Sequence, residues 1–126
     1  MQTSDVNSLR HEGTGRTRVS LSTSYIGKDP IICLSNEAGH IGAVAVADYS
    51  EKEKRASVSV ITRPGHREDS VATEAARKLC KIVKRPVCVI VGIHLDNITD
   101  KEIAQILENC AKLVSALSER LSVCGD

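Results

Sequence analysis

Aromatic residues are almost missing from this sequence: phenylalanine and tryptophan do not occur, and tyrosine occurs only at Tyr25 and Tyr49. Proteins that bind single-stranded nucleic acid stack the bases on aromatic side chains, and this chain cannot build such a surface. A net charge of +1 adds no strong attraction for a phosphate backbone or an anionic lipid. We therefore expect no nucleic acid among the partners.

Long hydrophobic runs are missing as well. The longest, such as residues 31–34 and 87–91, are far shorter than the roughly 20 residues that a membrane-spanning helix needs. Residues 1–18 contain no apolar segment like that of a secretory signal. We therefore expect a soluble protein of the cytoplasm, or also of the nucleus, with no membrane partner.

The motifs of metal binding and catalysis are also missing. No two cysteines form a C-x-x-C pair, and no two histidines lie four residues apart as on a metal-binding helix. The glycine-containing segment at residues 39–42 lacks the third glycine of a dinucleotide-binding turn and the Gly-Lys-Ser/Thr of a phosphate-binding loop. We expect no enzyme, no metal and no cofactor. The thiols that we expect to pack as small hydrophobic groups are Cys33, Cys80, Cys88 and Cys110.

What the chain does contain is a series of short strands. In residues 18–25 apolar residues alternate with serines, which is the period of a half-buried strand. Residues 31–35 and 56–62 are further strands, and residues 87–93 are apolar almost throughout, as in a strand that is buried on both faces. Residues 41–48 are compatible with an alanine-rich helix or with a strand of small residues. Two nearby glycines and three β-branched residues favour the strand.

Two amphipathic helices complete the pattern. The first is expected to begin at Asp69 or Ser70, either of which can cap it, and to end before Pro86. The second begins after Thr99, because Thr99 and Glu102 have the spacing of a capping box. Its apolar stripe continues for about five turns, and such a face must cover a sheet.

The order of these elements predicts an α+β fold, β-β-β-β-α-β-α, with two long helices and a mixed, mostly antiparallel sheet of about five to six strands. We expect the first four strands in hairpin order, with a tight antiparallel return at residues 36–40. Residues 1–16 are polar and predict a flexible N-terminal tail. Residues 17–126 are expected to form a single domain.

Small side chains on the strands predict an interaction surface. If the strand serines share one side of the sheet with Ala43 and Ala45, this side is flat and lightly polar and lies opposite the helices. Two such faces can pack against each other at about 10 Å, so a dimer would hide this side from water. The residues assigned to this surface are Ser20, Ser22, Ser24, Ala43, Ala45, Ser57 and Ser59.

The order of motifs is also similar to that of a known family. The relevant stretches are DPIICLSNEAGHIGAVAVADYS and RASVSVITRPGHREDSVATEAARKLCKIVKRPVCVIVGIHLDNITDKEIAQILENCAKLV. They contain a strand pair, a small-residue strand that leads through a polar loop into a helix, the apolar strand VCVIVGI and a closing amphipathic helix. Over residues 21–121 the chain resembles the proteasome assembly chaperone family, and its fourth type in particular.

The resemblance implies a compact sheet with flanking helices, no enzymatic activity and no cofactor. It also implies a dimer with a related chaperone, of the third type in that family, and a role in assembling the α-subunit ring of the 20S proteasome. Whether the dimer is a heterodimer or a homodimer stays open. One face of the sheet would bind the related chaperone, and Arg63, His66 and Arg67 would contact a proteasome α-type subunit.

A second class of function remains as an alternative. The chain would then be a small ligand-binding or enzymatic α+β protein with its site near Gly39, His40 and His94. A pocket that joins these three residues favours this alternative, whereas a flat apolar sheet face favours the chaperone.

Overall fold

A six-stranded sheet and two helices make up the fold. The computed structural model describes residues 8–65 and 67–124. The elements are β1 (Ser8–Glu12), a 3-10 turn (Gly15–Thr17), β2 (Val19–Ile26), β3 (Asp29–Ser35), β4 (Ala43–Ser50), β5 (Arg55–Thr62), α1 (Asp69–Val83), β6 (Val87–Gly92) and α2 (Asp100–Cys124). The predicted α+β class with a mixed, mostly antiparallel sheet is confirmed, and β4 is the segment for which a helix was the alternative.

The sheet order is β1-β2-β3-β6-β4-β5. All neighbouring strands are antiparallel except β3 and β6, which pair in parallel. The expected tight return between β3 and β4 is therefore wrong, because β6 lies between them and residues 36–42 pass over its end. A strand that is apolar on both sides is favoured at the centre of a sheet, and β6 is the most uniformly apolar strand of this chain.

The N-terminal segment contributes an edge strand that the sequence pattern does not predict. Leu9 pairs with Ser22 and His11 pairs with Ser20, so part of the expected tail, residues 8–12, is β1. Residues 1–7 of that tail lie outside the described residues. The strand has only one apolar side chain, Leu9, and therefore shows no alternation of apolar and polar residues. Charged edge strands of this kind discourage pairing with other chains.

Both helices lie on one side of the sheet. The helix α1 packs on β4, β5 and β6, while α2 contacts α1, the 3-10 turn and the strands β1 and β2. The buried residues of β4 are all alanines, and they face an alanine-rich side of α1, which lets helix and sheet approach closely. The largest fully buried side chains include Leu21, Ile32, Leu34, Leu79, Val89, Val91 and Leu117. In the described part of the chain, no helix has the length and apolarity to cross a membrane.

The helix starts differ in how they are capped. At α2 the predicted capping box is confirmed, because Glu102 N donates to Thr99 Oγ1 at 3.1 Å and Thr99 N donates to Glu102 Oε1 at 3.1 Å. At α1 the N-cap is Glu68, instead of Asp69 or Ser70, and its side chain does not cap the helix. Its carboxylate instead accepts a hydrogen bond from Ile93 N, which connects the start of α1 to the end of β6.

Candidate functional site

The side of the sheet opposite the helices is open. Within residues 8–65 and 67–124, no helix or strand covers it. Because side chains alternate along each strand, the register of the strand pairs assigns residues to this side, which we call the open face. In register, its middle row runs through Leu9, Ser22, Cys33, Ile90, Val44 and Ile61.

One half of the open face is apolar. On β6, β4 and β5 it presents an apolar patch made of Val44, Val46, Ile61, Cys88 and Ile90. Val46 is 49% exposed and Ile61 is 74% exposed. Singly exposed apolar residues are ordinary, but a contiguous apolar group on a flat sheet is typical of an interaction surface. The other half, on β2 and β3, is lined mainly by serines.

The structure separates the strand residues that we assigned to the interaction surface. The serines Ser20, Ser22, Ser24, Ser57 and Ser59 do lie together on the open face. Ala43 and Ala45 do not: they are 1% and 0% exposed and lie under α1 on the covered side. Alanine and valine alternate along β4, and it is the valines that face outward. The open face is therefore more apolar than predicted. The partner-binding role of all these residues stays a prediction.

The loop between β5 and α1 carries the residues that were expected to contact a proteasome subunit. The Arg63 guanidinium donates a hydrogen bond to the carbonyl oxygen of Ile41 at 2.7 Å, so it fixes the loop before β4. Arg67 is exposed beside the start of α1. His66, the third residue of this group, lies outside the described residues. A contact of this loop with a partner remains a prediction.

A groove lies at one corner of the open face, where β1, β2 and β3 meet the end of β6. We call it the basic groove, and its volume is about 710 Å³, within the usual range for ligand sites. His11, Ser20 and Ser35 are in register across its floor. The full lining is His11, Gly15, Arg16, Arg18, Ser20, Ser35, Asn36, Glu37, Ala38 and Leu95.

Hydrogen-bond donors, two arginines among them, line this groove. Arg16 and Arg18 outnumber the one acidic residue of the lining, Glu37. Among the described residues no ion pair engages Arg18, whereas Arg16 is paired with Glu102. His11 Nδ1 lies 2.7 Å from Ser20 Oγ, so these two side chains are held together on the groove floor.

Two contacts attach the arginine-bearing wall of the groove to α2. The Arg16 guanidinium donates to Glu102 Oε2 at 2.7 Å and to the carbonyl oxygen of Asp96 at 2.9 Å. Asn109, which is 1% exposed, donates through Nδ2 to the carbonyl oxygen of Thr17 at 2.9 Å. The middle and the last residue of the 3-10 turn are thereby bonded to the helix.

The contact between Arg16 and Glu102 predicts a pH-dependent contribution to stability. Hydrogen bonds from the Arg16 guanidinium, and then from the Thr99 N–H, lower the pKa of Glu102 from 4.5 to about 2. A lowered pKa in the folded state adds stability above the ordinary pKa, and this stability is lost as the pH falls toward about 2. We expect Glu102→Gln to lower the urea midpoint at pH 7, with the difference shrinking below pH 4.5 and becoming small near pH 2.

The matched control is Glu108→Gln, which removes an exposed carboxylate of the same helix that pairs with Lys112. Exposed pairs of this type contribute little, so its urea midpoint should stay near that of the wild type at both pH values. Equal effects of the two substitutions at pH 7 contradict a specific role for the Arg16–Glu102 pair.

The residues of the alternative site do lie together. The rings of His40 and His94 are 5.4 Å apart, and Gly39 packs against the backbone of Gly92. The Asn36 side chain holds this corner, because it donates to the carbonyl oxygen of His94 at 2.8 Å and accepts from His94 N at 3.1 Å. Asn36 also lines the basic groove, so the two regions are adjacent. In the described part of the chain no group of acidic, histidine and cysteine side chains is suited to hold a metal ion.

The described cysteines whose thiol pKa is raised are poor nucleophiles. Burial raises the pKa of Cys80 and Cys88, and it raises the pKa of Cys110 to about 11. A thiol with a raised pKa stays protonated near neutral pH, and only the thiolate is reactive. Cys80 and Cys110 pack in the core, whereas Cys33 and Cys88 are half-buried on the open face.

Comparison with known proteins identifies the family. Residues 13–122 match the family model of the prenylated flavin chaperone LpdD-like domain. The chain belongs to this family. No curated protein matches the chain. The family is therefore the LpdD-like one, and not the proteasome assembly chaperone family that the sequence resembles.

A solved structure shares the fold of this LpdD-like chain. It is the crystal structure of a chaperone complex for yeast 20S proteasome assembly, with a TM-score of 0.61. The similarity covers 91% of this chain and 96% of that chain, at 14% sequence identity. At this identity the likeness shows the shared fold and nothing more specific. Apart from the extra edge strand β1, the predicted order of elements is that of the fold.

The family description implies a prenylated flavin, and the residues of the open face fit such a group. A prenylated flavin mononucleotide combines a flat ring system with a hydroxyl-bearing chain that ends in a phosphate. Guanidinium groups and hydroxyls, the donors of the basic groove, suit phosphate and hydroxyl groups. The small side chains of β2 and β3 leave a flat surface beside them. Once bound, the flavin would carry the redox and ring chemistry, and the chain would supply the binding surface.

Proposed function

We propose that this chain is a non-enzymatic chaperone that binds a prenylated flavin and that acts as a dimer of two copies of the chain. Its family membership supports the flavin as cargo. The raised pKa values of Cys80, Cys88 and Cys110 agree with a binding role, because they disfavour thiolate chemistry.

The observation that carries this proposal is the open face. A donor-rich groove and an apolar patch lie on the same uncovered side of one sheet. The central strand β6 is apolar on both sides, although the helices cover only one of them. Strands of this composition are normally buried on both faces, which supports a second layer formed by a partner.

A second copy of the chain suits the apolar patch. Sheets pack face to face at about 10 Å when their side chains are small and smooth, as they are here. Apart from the two cysteines, the titratable side chains that the register assigns to the open face are His11, Asp29, Asp48 and Arg55, which include both signs of charge. Two copies therefore meet without strong like-charge repulsion. The strands β6, β4 and β5 would be buried on both sides in such a dimer.

Retention of prenylated flavin by the purified chain tests whether this flavin is its cargo. The purified full-length chain is dialysed without oxygen against prenylated flavin mononucleotide, with serum albumin as a control for nonspecific uptake. We expect about one flavin retained per chain, unchanged in its absorbance spectrum, and faster activation of a flavin-free enzyme that uses this cofactor than free flavin achieves. Retention no greater than that of albumin contradicts the proposal.

A second candidate function is assistance in assembling the α-ring of the 20S proteasome, together with a related small chaperone. It is favoured by the likeness of fold to the yeast assembly complex and by the exposed arginines Arg63 and Arg67. In this function the open face would bind the related chaperone, and the loop would contact a proteasome α-type subunit. Copurification of the tagged chain with identified α-type subunits supports this candidate. Their absence, with flavin retained, supports the first.

A further inference from the structure

We propose that the basic groove binds the phosphate of the flavin and that the serine-lined half of the open face is the floor for its ring system. This inference rests on the proposed function and adds a location and an orientation to it. It also predicts that the chain recognises the phosphorylated flavin in preference to the flavin without phosphate.

The charges of the groove place the phosphate near Arg18. The positive charge of Arg16 is largely offset by Glu102, with which it forms an ion pair of 2.7 Å. Arg18 has no such partner among the described residues, so its planar guanidinium is available for two parallel hydrogen bonds to a phosphate. The Ser20 and Ser35 hydroxyls lie on the floor beside it as further donors.

The ring floor follows from the strand register. One step of two residues along β2 or β3 leads from the groove to Ser22 and Cys33, which pair with each other. Such a step spans about 6.6 Å, so a ligand with its phosphate in the groove extends over these residues. Their small side chains form a flat surface on which a planar ring system can lie.

The ligand site and the apolar patch occupy different parts of the open face. The ligand site lies on β2 and β3, and the apolar patch lies on the next three strands of the sheet, β6, β4 and β5. Because the two surfaces share no strand, a flavin over β2 and β3 and a second copy over β6, β4 and β5 can be bound at the same time. Substitutions at the groove should change flavin affinity and leave the dimer intact.

The test compares prenylated flavin mononucleotide with the same batch after phosphatase treatment, using wild type, Arg18→Ala and Arg10→Ala. Arg10 is the matched control because it is exposed on β1 but belongs to the opposite side of the sheet. We expect the wild type and Arg10→Ala to bind the phosphorylated form roughly 10- to 100-fold more tightly. In Arg18→Ala this preference should fall to a few-fold.

The ring floor is tested by Ser22→Tyr, with Ser57→Tyr on the far edge strand as its control. Both serines belong to the open face, but only Ser22 adjoins the groove. We expect Ser22→Tyr to weaken binding of both flavin forms by about 10-fold or more, because a large side chain displaces the rings. Ser57→Tyr should bind as the wild type does.

The outcomes separate the two levels of the proposal. Equal affinity for both flavin forms in the wild type, or equal behaviour of Arg18→Ala and Arg10→Ala, overturns this site while the flavin chaperone stands. Equal effects of the two tyrosine substitutions overturn the ring floor. If the wild type retains neither flavin form, the proposed function itself fails.

Discussion

Ile90→Lys is expected to convert the proposed dimer into a folded monomer. Ile90 lies at the centre of the open face, in register between Cys33 and Val44. In a monomer the lysine ammonium reaches water, because this side of the sheet is uncovered. In the dimer the same ammonium would be buried without a partner, at a cost of several kcal/mol. Light scattering coupled to size-exclusion chromatography at micromolar concentration measures the change in mass.

The matched control is Val89→Lys, one residue away on the same strand. Val89 is fully buried on the helix-covered side, so a lysine there places an unpaired charge in the core. We expect this variant to unfold or to lose more than about 4 kcal/mol of stability, as seen by circular dichroism during urea unfolding. An Ile90→Lys protein that is unfolded, or that remains dimeric, contradicts our assignment of the open face.

Asn109→Ala is expected to combine a loss of stability with a loss of flavin affinity. The buried amide donates to Thr17 O at the end of the 3-10 turn, and its removal leaves that carbonyl oxygen without this partner. Leaving a buried polar group unsatisfied costs about 1–3 kcal/mol. The turn also carries Arg16, next to Arg18, so its loosening should weaken phosphate binding. Urea unfolding and flavin titration measure the two effects.

Glu108→Ala is the neighbouring control, since its carboxylate is exposed and pairs only with Lys112 among the described residues. It should change neither the unfolding midpoint nor the flavin affinity appreciably. If Asn109→Ala loses stability but binds flavin as the wild type does, the 3-10 turn does not position the groove.

All the strands and helices except β1 were predictable, because each of them has a local pattern. Alternation in β2 and β5, the capping box at Thr99 and Glu102, and the apolar stripes of the helices are properties of short segments. Strand order is different, because the parallel pairing of β3 with β6 joins segments that are more than 50 residues apart. The apolar composition of β6 indicated a central strand, but the sequence does not say which strands flank it.

Two local errors have simple physical causes. Ala43 and Ala45 were assigned to the interaction surface by size, whereas their side of the sheet depends on the register of β4. A shift of one residue moves every side chain to the opposite face. The strand β1 was missed because its charged residues give no alternation.

The candidate site was harder to predict than the fold. The basic groove combines residues from β1, from the turn before β2, from the end of β3 and from Leu95 after β6. Arg16 and Arg18 lie in or next to a segment whose sequence looks like a polar tail. The glycines Gly13 and Gly15 are its sequence signal for a turn, and in the structure both have a positive φ. The order of elements predicted the fold, but that order does not depend on the few side chains that line the groove.

Native mass spectrometry of the full-length chain with prenylated flavin mononucleotide tests the central claim most directly, because it counts chains and flavins in one particle. Our account predicts a complex of two chains that carries two flavins. A single chain without bound flavin, at protein and ligand concentrations in the micromolar range, contradicts it.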